Sequence, residues 1–290
     1  MSNLVHQQNQ QAWDLTARHK YADDVADDVA FIRTGQTNLL PMEVALLQPI
    51  VPHCQRVIHL QCSHGLDALS LWQMGAEEVI GVDISAEMLA LAQQKSDLLG
   101  APARWVHADI LATPHGLDGT ADLVYTGKGA LPWMMDLDAW AQVVVRLLKP
   151  GGWFYVLEGH PLNWVWEPEA NDFRLRTDGG DYFANDPRVN RTFPAAVIQR
   201  VRPDDATAPQ PVEHQWTLAQ TITALLAAGL TLRRIEEYPT HFWPEFGNIP
   251  PADHDRLPHT FALLMRKDPS LTFTAIKLRV KSSVYGGVYE

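Results

Sequence analysis

Residues 57–71 read VIHLQCSHGLDALSL, and this stretch decides the fold. Its first four residues are mostly apolar and predict a buried strand, whereas the leucines at its end recur at helical spacing. Open α/β folds bind nucleotides at such a strand–turn–helix unit, usually through a glycine-rich turn. Here Gln61 and Ser63 stand where two glycines are expected, and only Gly65 remains. The turn is therefore either a nucleotide site of unusual composition or a plain β–α corner.

Composition limits the function classes. The chain has 290 residues, 46% of them hydrophobic, which suits one large domain with a sizeable core. It contains no long apolar run and no signal-like start, so we expect a soluble, cytoplasmic protein. A net charge of −11 disfavours nucleic acid and anionic membranes as partners. Cys54 and Cys62 fit a reduced compartment, and the histidines lack HExxH-type spacing, so we predict no disulfide and no metal site.

Short apolar runs alternate with amphipathic stretches over the first half of the chain. The runs that predict strands are 57–60, 79–82, 103–107, 121–126 and 153–157. The helical patterns between them cover 65–75, 86–99 and 137–148. Strands that alternate with helices imply βαβ units and a mainly parallel sheet.

The rest of the chain divides into flanking segments. Residues 1–50 predict an N-terminal helical cover, and residues 51–267 predict the main domain. Residues 159–213, rich in Pro, Asn, Asp and aromatic side chains, predict an irregular insertion after strand five. The tail, residues 268–290, contains TFTAIKLRV, which alternates like a strand. We leave open whether this tail pairs with a second copy in a homodimer or is disordered.

Two late strands complete the sheet. Thr217 and Gln220 form a capping box that predicts the start of a helix. Strands near 231–238 and 259–266 follow it. The predicted fold is therefore α/β: a Rossmann-like, seven-stranded, mostly parallel sheet with helices on both faces.

Acidic residues end two of the predicted strands. Asp83 ends the second strand, where a carboxylate can accept hydrogen bonds from both ribose hydroxyls of an adenosine. Ser85 is better placed than Asp83 to cap the next helix. Asp109 ends the third strand and is expected to accept from an adenine amino group while Ile110 packs on the base. A solvated loop aspartate is the alternative for Asp109.

The order of these motifs resembles that of class I S-adenosylmethionine-dependent methyltransferases over roughly residues 40–267. The matching stretches are HLQCSHG, GVDIS, ADI, ADLVYTGKGAL and LLKPGGWFYV. The HLQC form looks like a bacterial subgroup of small-molecule methyltransferases, as do YTGKGALPW, EGHP and HQWTLAQTITALLAAGL. The family members that act on nucleic acid or protein amides usually carry (N/D)PP(Y/F) after strand four, a position that here reads YTGKGALPW. The resemblance therefore implies S-adenosyl-L-methionine as the cofactor and a small-molecule acceptor.

The resemblance also implies a set of cofactor-binding residues. Gly65 is expected to keep the helix close to the strand, and the backbone N–H groups from Cys62 to Gly65 are expected to face the site. Gln61 is expected to reach the methionyl carboxylate. The full predicted set is Gln61, Cys62, Ser63, Gly65, Asp83, Ile84, Met88, Asp109, Ile110, Tyr125 and Thr126.

Aromatic and histidine side chains crowd the insertion and the late loops, where they could roof the transferred methyl group and stack on an acceptor. They are Trp133, His160, Trp164, Trp166, Tyr182, Phe183, His214, Trp216, His241, Phe242 and Trp243. A hydroxyl acceptor benefits from a general base, and histidine titrates near neutral pH. His160 is the first candidate for this catalytic role, followed by His214 and His241.

Two other function classes stay open at this point. A nicotinamide-dependent oxidoreductase also places an acidic residue after strand two, but its diphosphate needs a closer backbone approach than Gln61 and Ser63 suggest. A non-catalytic cofactor-binding module would explain the altered turn, although the retained Asp83 and Asp109 argue against it. The atom that is methylated, whether O, N, S or C, does not follow from the sequence.

Overall fold

A computed structural model describes residues 2–177, 180–184, 186–189, 211–243 and 246–269. Its strands are β1 Arg56–Leu60, β2 Glu78–Asp83, β3 Ala103–His107, β4 Ala121–Gly127, β5 Leu148–Gly159, β6 Arg188–Val189, β7 Val212–Glu213, β8 Leu230–Tyr238 and β9 Thr260–Lys267. Its α-helices are α1 Ser2–Thr16, α2 Val25–Arg33, α3 Pro41–Leu47, α4 Leu66–Gln73, α5 Ala86–Leu99, α6 Leu137–Leu147, α7 Leu218–Ala227 and α8 Pro251–His254.

In this described part of the chain, the main sheet has seven strands in the order β3-β2-β1-β4-β5-β9-β8. The first five strands run parallel, and β9 lies antiparallel to both β5 and β8. The predicted seven-stranded, mostly parallel sheet is confirmed. Because β1 to β5 are parallel, their carboxyl ends share one edge, and the residues that follow them converge there.

Helices cover both faces of the sheet, as predicted. On one face Ile58 and Val124 pack with Trp140 of α6 in a single buried core. On the other face Val57 and Leu123 pack against α3 and α4. Successive strand residues point to opposite faces, so each strand supplies both cores.

The N-terminal helices pack over α5. Ala17, Met88 and Leu91 form a small buried cluster, with Trp13 and Tyr21 against it. Asp14 on α1 accepts a hydrogen bond from the Ser85 hydroxyl at 2.6 Å, which ties α1 to the start of α5. The predicted helical cover is present, whereas the boundaries at residues 50 and 267 stay predictions.

The region after β5 is irregular in the residues that the structure describes. It holds one short helical turn, Pro161–Val165, and a two-stranded ribbon of β6 and β7. Residues 190–210 of the predicted insertion (159–213), and the tail segment TFTAIKLRV, lie outside the described residues. No helix in the described ranges is long and apolar enough to span a membrane.

Candidate functional site

A cleft lies where the carboxyl ends of the parallel strands meet, with α1 over it. The space between its walls is about 610 Å³, which includes a part that is open to solvent. The lining residues are His6, Asn9, Trp13, Gln61, Ser63, Asp83, Ile84, Met88, Asp109, Ile110, Gly127, Lys128, Gly129, Ala130, Trp133 and Met134.

The turn between β1 and α4 has a backbone that glycine would adopt more easily. Gln61 and Ser63 have φ of 57° and 49°, a left-handed conformation that costs a non-glycine residue about 1–2 kcal/mol. Gly65 has φ of 81°, and a Cβ there would lie 2.6 Å from the Trp105 ring. A side chain is therefore excluded at Gly65 by residues of β3 and α5, whereas the expected approach of α4 to β1 stays a prediction. Strain of this kind at Gln61 and Ser63 is typical of ligand sites.

The backbone N–H groups of this turn are committed within the protein. Cys62 donates to the Val82 carbonyl at 3.2 Å, and Gly65 donates to the Cys62 carbonyl at 3.0 Å. Ser63 donates to a carboxylate oxygen of Asp83 at 2.8 Å. The expectation that the N–H groups from Cys62 to Gly65 face a ligand is wrong for these three, because two of them bond to residues of β2 and the third bonds within the turn.

Asp83 projects from the end of β2 into the cleft. One carboxylate oxygen accepts from the Ser63 N–H at 2.8 Å, and the other accepts from the Ser85 N–H at 2.9 Å. Burial raises the pKa of Asp83 to about 6, against the opposing effect of these two hydrogen bonds. Each oxygen keeps a further lone pair, so the carboxylate is oriented and still able to accept from a ligand. Ser85 caps α5 through Met88 N–H, as predicted.

Asp109 meets an unexpected partner from the first helix. Its Oδ1 accepts from Leu111 N–H at 2.9 Å, and its Oδ2 lies 2.7 Å from Nδ1 of His6. Although burial acts to raise it, the hydrogen bonds from His6 and Leu111 hold the pKa of Asp109 below its ordinary value. His6 is 3% exposed, and its Nε2 has no hydrogen-bond partner among the described residues.

The loop after β4 forms another wall of the cleft and is held by Glu158. One oxygen of Glu158 accepts from the N–H groups of Ala130 and Leu131 at 2.6 and 3.0 Å, and the other accepts from Gly129 N–H at 2.9 Å. Burial raises the pKa of Glu158 to about 7 despite these bonds. The Gln61 amide donates to the Ala130 carbonyl at 2.6 Å, so Gln61 ties the first turn to this loop.

The structure brings seven of the eleven predicted cofactor-binding residues into the cleft. They are Gln61, Ser63, Asp83, Ile84, Met88, Asp109 and Ile110. Cys62 and Gly65 shape the turn from beneath and do not line the cleft. Tyr125 and Thr126 do not line it either, which corrects the sequence-based prediction.

Tyr125 and Thr126 do not reach the cleft because both side chains are buried within the fold near the end of β4. The Tyr125 side chain is buried in the core under α3, where its hydroxyl donates to Glu43 at 2.6 Å. Thr126 is also fully buried and donates to the Leu60 carbonyl at 3.0 Å. Gly127 and the residues that follow it supply the cleft wall instead.

None of the three histidines predicted as general bases lines the cleft, and their catalytic role stays a prediction. His160 caps the turn that follows β5 and lies 2.9 Å from Glu237. His214 stacks on Trp216 with ring centroids 3.7 Å apart, outside the cleft. His241 lies among other histidines, and burial followed by the charges of His259 and His254 lowers its pKa to about 4.

The residues that the sequence analysis missed come from α1. His6, Asn9 and Trp13 all line the cleft, and Trp13 meets Trp133 edge to face with centroids 5.5 Å apart. Positions 6, 9 and 13 follow helical spacing and so share one face. This spacing was the available signal, but it does not tell where the helix docks.

Comparisons with known proteins agree with this geometry. Residues 57–152 match the family described as methyltransferase domain. A demethylmenaquinone methyltransferase of Thermus thermophilus is 34% identical over 108 residues, which are 37% of this chain and 48% of that protein. The chain thus spans about half the length of this curated relative.

Solved structures share the fold. An S-adenosylmethionine-dependent methyltransferase from Mesorhizobium loti superimposes with a TM-score of 0.57 at 21% identity, over 78% of this chain and 96% of that one. A similar protein described for Listeria monocytogenes gives 0.58 at 19% identity, over 78% and 98%. The HLQC subgroup stays a prediction. The family match over residues 57–152 and the shared fold favour a methyltransferase over the oxidoreductase among the alternatives left open by the sequence.

Proposed function

We propose that the protein transfers a methyl group from S-adenosylmethionine to a small, apolar or aromatic acceptor by in-line displacement. The observation that carries this proposal is the Asp83 carboxylate, oriented in the cleft by Ser63 and Ser85 with lone pairs left to accept from a ligand. Two adjacent ribose hydroxyls match such an oriented carboxylate.

The remaining walls fit an adenosine. Ile84, Met88 and Ile110 supply apolar surface next to Asp83, as a flat base requires. Shortly after β3, Asp109 shares a hydrogen bond with Nδ1 of His6. The other ring nitrogen of His6, Nε2, is buried and has no partner among the described residues. If Nδ1 donates to the Asp109 carboxylate, Nε2 is an acceptor for a donor such as an exocyclic amino group. We infer that His6 contacts the cofactor directly.

S-adenosylmethionine, when bound, supplies an electrophilic methyl group on a sulfonium. The protein's contribution is to position the reactants, since a fixed collinear arrangement can provide most of the acceleration. Gln61 joins the first turn to the loop after β4, so these two walls hold a fixed spacing. The helix α1 covers the cleft and keeps water away from the reacting atoms.

Two observations support an apolar or aromatic acceptor. Trp13, Trp133 and Met134 line the part of the cleft formed by α1 and the loop after β4. Aromatic faces bind planar rings and also stabilise a sulfonium by about 0.5–2 kcal/mol. In addition, the Thermus relative is named for an acceptor, demethylmenaquinone, that carries a quinone ring. With a net charge of −11, we do not expect nucleic acid as a substrate.

Calorimetry of the full chain with S-adenosylhomocysteine, and separately with NAD, tests the cofactor. We expect binding of S-adenosylhomocysteine alone, in the micromolar range. Binding of NAD alone would overturn the proposal, and binding of neither would contradict it as well. If the protein binds S-adenosylhomocysteine, it is then incubated with S-adenosylmethionine and a panel of phenols, quinols and aliphatic acceptors. Formation of S-adenosylhomocysteine only with apolar ring acceptors is the expected result.

A further inference from the structure

Three histidines from the segment between β8 and β9 meet at one point. His241 precedes α8, His254 is its last residue, and His259 directly precedes β9. One ring nitrogen of each lies within 4.8 Å of the others. His259 is fully buried, and the other two are partly buried. We call these three residues the His241 cluster; nothing in the proposed methyl transfer uses it.

The bonds of Asn163 determine which nitrogen of His259 carries the hydrogen. The Asn163 Nδ2 donates to the His259 carbonyl at 3.1 Å, and this places the Asn163 Oδ1 3.0 Å from Nδ1 of His259. An amide oxygen only accepts, so Nδ1 is the donor. In a neutral His259 ring, Nε2 then has no hydrogen and carries a lone pair. That Nε2 lies 3.2 Å from the carbonyl oxygen of His254, which is also an acceptor.

His254 is oriented in the same way. Its Nε2 lies 3.2 Å from the Ile249 carbonyl oxygen and must donate to it. In a neutral His254 ring, Nδ1 then carries a lone pair. This Nδ1 atom lies 3.2 Å from Nε2 of His241. Two imidazole lone pairs and a carbonyl oxygen therefore point into a small shared space. Metal-binding histidines show this pattern, in which the second ring nitrogen donates to a carbonyl or amide oxygen outside the site.

We propose that the His241 cluster binds a divalent transition-metal ion, Zn²⁺, through three imidazole nitrogens, with water in the fourth position. Neutral imidazole is a preferred zinc ligand, and three histidines with one open position are an established zinc arrangement. The competing explanation is a metal-free stack of rings, since His241 stacks on His259 at 3.8 Å and Phe173 stacks on His259 at 5.6 Å.

The position of the cluster would let such a metal fix two aromatic rings beside the cleft. Phe242 and Trp243 follow His241 directly, and atoms of both rings lie 3.9 Å from where a Cβ of Gly129 would stand. Gly129 lines the cleft. The Lys20 ammonium lies 5.1 Å from the centre of the Trp243 ring. A metal on His241 would therefore hold these two rings against the rim of the cleft and the N-terminal cover.

A cobalt and zinc titration of the full, untagged chain tests the proposal. The protein is stripped with a chelator, dialysed, and titrated with Co²⁺ while the visible absorption of tetrahedral cobalt is followed. We expect saturation at one equivalent and displacement by one equivalent of Zn²⁺. His241→Gln should weaken Zn²⁺ binding by at least ~10-fold, because it removes one of the three proposed imidazole ligands. His53→Gln, at an exposed position, is the matched control.

Thermal unfolding gives a second readout that does not depend on catalysis. Zn²⁺ should raise the Tm of the wild-type chain and of His53→Gln, and should leave the Tm of His241→Gln unchanged, since a ligand stabilises only the state that binds it. Absence of stoichiometric binding by the wild type, or equal affinity in His241→Gln, would overturn the metal site and leave the ring stack as the explanation.

Discussion

Nδ1 of His6 lies 2.7 Å from Oδ2 of Asp109, a contact between α1 and the end of β3 that spans 103 positions of sequence. It joins the covering helix to a wall of the cleft. Asn9, one turn further along α1, exchanges two hydrogen bonds with the Val212 backbone at 2.9 and 2.7 Å. The N-terminal helix is therefore a part of the candidate site and not merely a cover over α5.

His6→Ala should weaken binding of S-adenosylhomocysteine by about tenfold. The change removes the unpartnered Nε2 and leaves Oδ2 of the partly buried Asp109 without the His6 donor, and one such hydrogen bond is worth about 1 kcal/mol. Calorimetry measures the affinity. The neighbouring Gln7→Ala, at an exposed position on the same helix, is the control and should bind as the wild type does. Equal affinity in both variants would remove His6 from the site.

Asp83→Asn should lower the affinity for S-adenosylhomocysteine by about 100-fold or more. An amide keeps the shape of the carboxylate, but its NH₂ group faces a backbone N–H of Ser63 or Ser85 and no longer accepts from two hydroxyls. Calorimetry on folded variants, checked by circular dichroism, measures the loss. Asp27→Asn, an exposed residue of α2, is the control. An unchanged affinity in Asp83→Asn would contradict the proposed ribose contact.

The same carboxylate predicts a pH dependence of binding. The pKa of Asp83 is raised to about 6, so the accepting, ionised form prevails above that pH and is lost below it. Affinity for S-adenosylhomocysteine should therefore rise as the pH increases from 5 to 7 and then level off. Calorimetry across this range should show the step in the wild type and no such step in Asp83→Asn.

Gly65→Ala should destabilise the fold strongly. A Cβ at this position would lie 2.6 Å from the Trp105 ring and 2.7 Å from the Ala92 Cβ, and the residue has φ of 81°. Overpacking and left-handed strain together are expected to cost about 3 kcal/mol. Urea denaturation measures the free energy of unfolding. Gly116→Ala is the control, because nothing lies within 4 Å of its Cβ position. A loss below ~1 kcal/mol at Gly65 would show that the turn relaxes easily.

Glu158 should make the protein less stable as the pH rises. Its pKa is raised from 4.5 to about 7, so the folded state holds a proton that the unfolded state releases earlier. Stability from this group is full below about pH 4.5 and falls as the pH rises to about 7, by an amount on the order of 3 kcal/mol. Because other groups also titrate in this range, the test compares the pH dependence of the unfolding free energy between the wild type and a Glu158 variant.

Urea denaturation at pH 5 and pH 8 measures this effect. Glu158→Gln is expected to be less stable than the wild type at pH 5, because its amide NH₂ faces backbone donors. Its stability should nevertheless fall less between the two pH values than that of the wild type. The exposed Glu77→Gln should keep the wild-type pH dependence. Parallel curves for wild type and Glu158→Gln would contradict the raised pKa.

Much of the fold was predictable from local patterns. Runs such as 79–82 are short, apolar and β-branched, and the capping box of Thr217 and Gln220 forms as expected. Asp83 and Asp109 were found because parallel strands bring their carboxyl ends to one edge. Tyr125 does not line the cleft because its side chain, near the end of β4, packs under α3, and its position in the sequence did not reveal this face.

The amino-acid sequence by itself determined the sheet, the position of the cleft at its edge, and the carboxylates that end β2 and β3, because these follow from periodicity and strand direction within 20 to 30 residues. Only the tertiary structure decided which side chains close the cleft and which histidines meet. His6 reaches Asp109, and His241 reaches His259, through loop paths and helix docking. Such contacts depend on where a helix docks and on the path of irregular loops, for which no local pattern carries a signal.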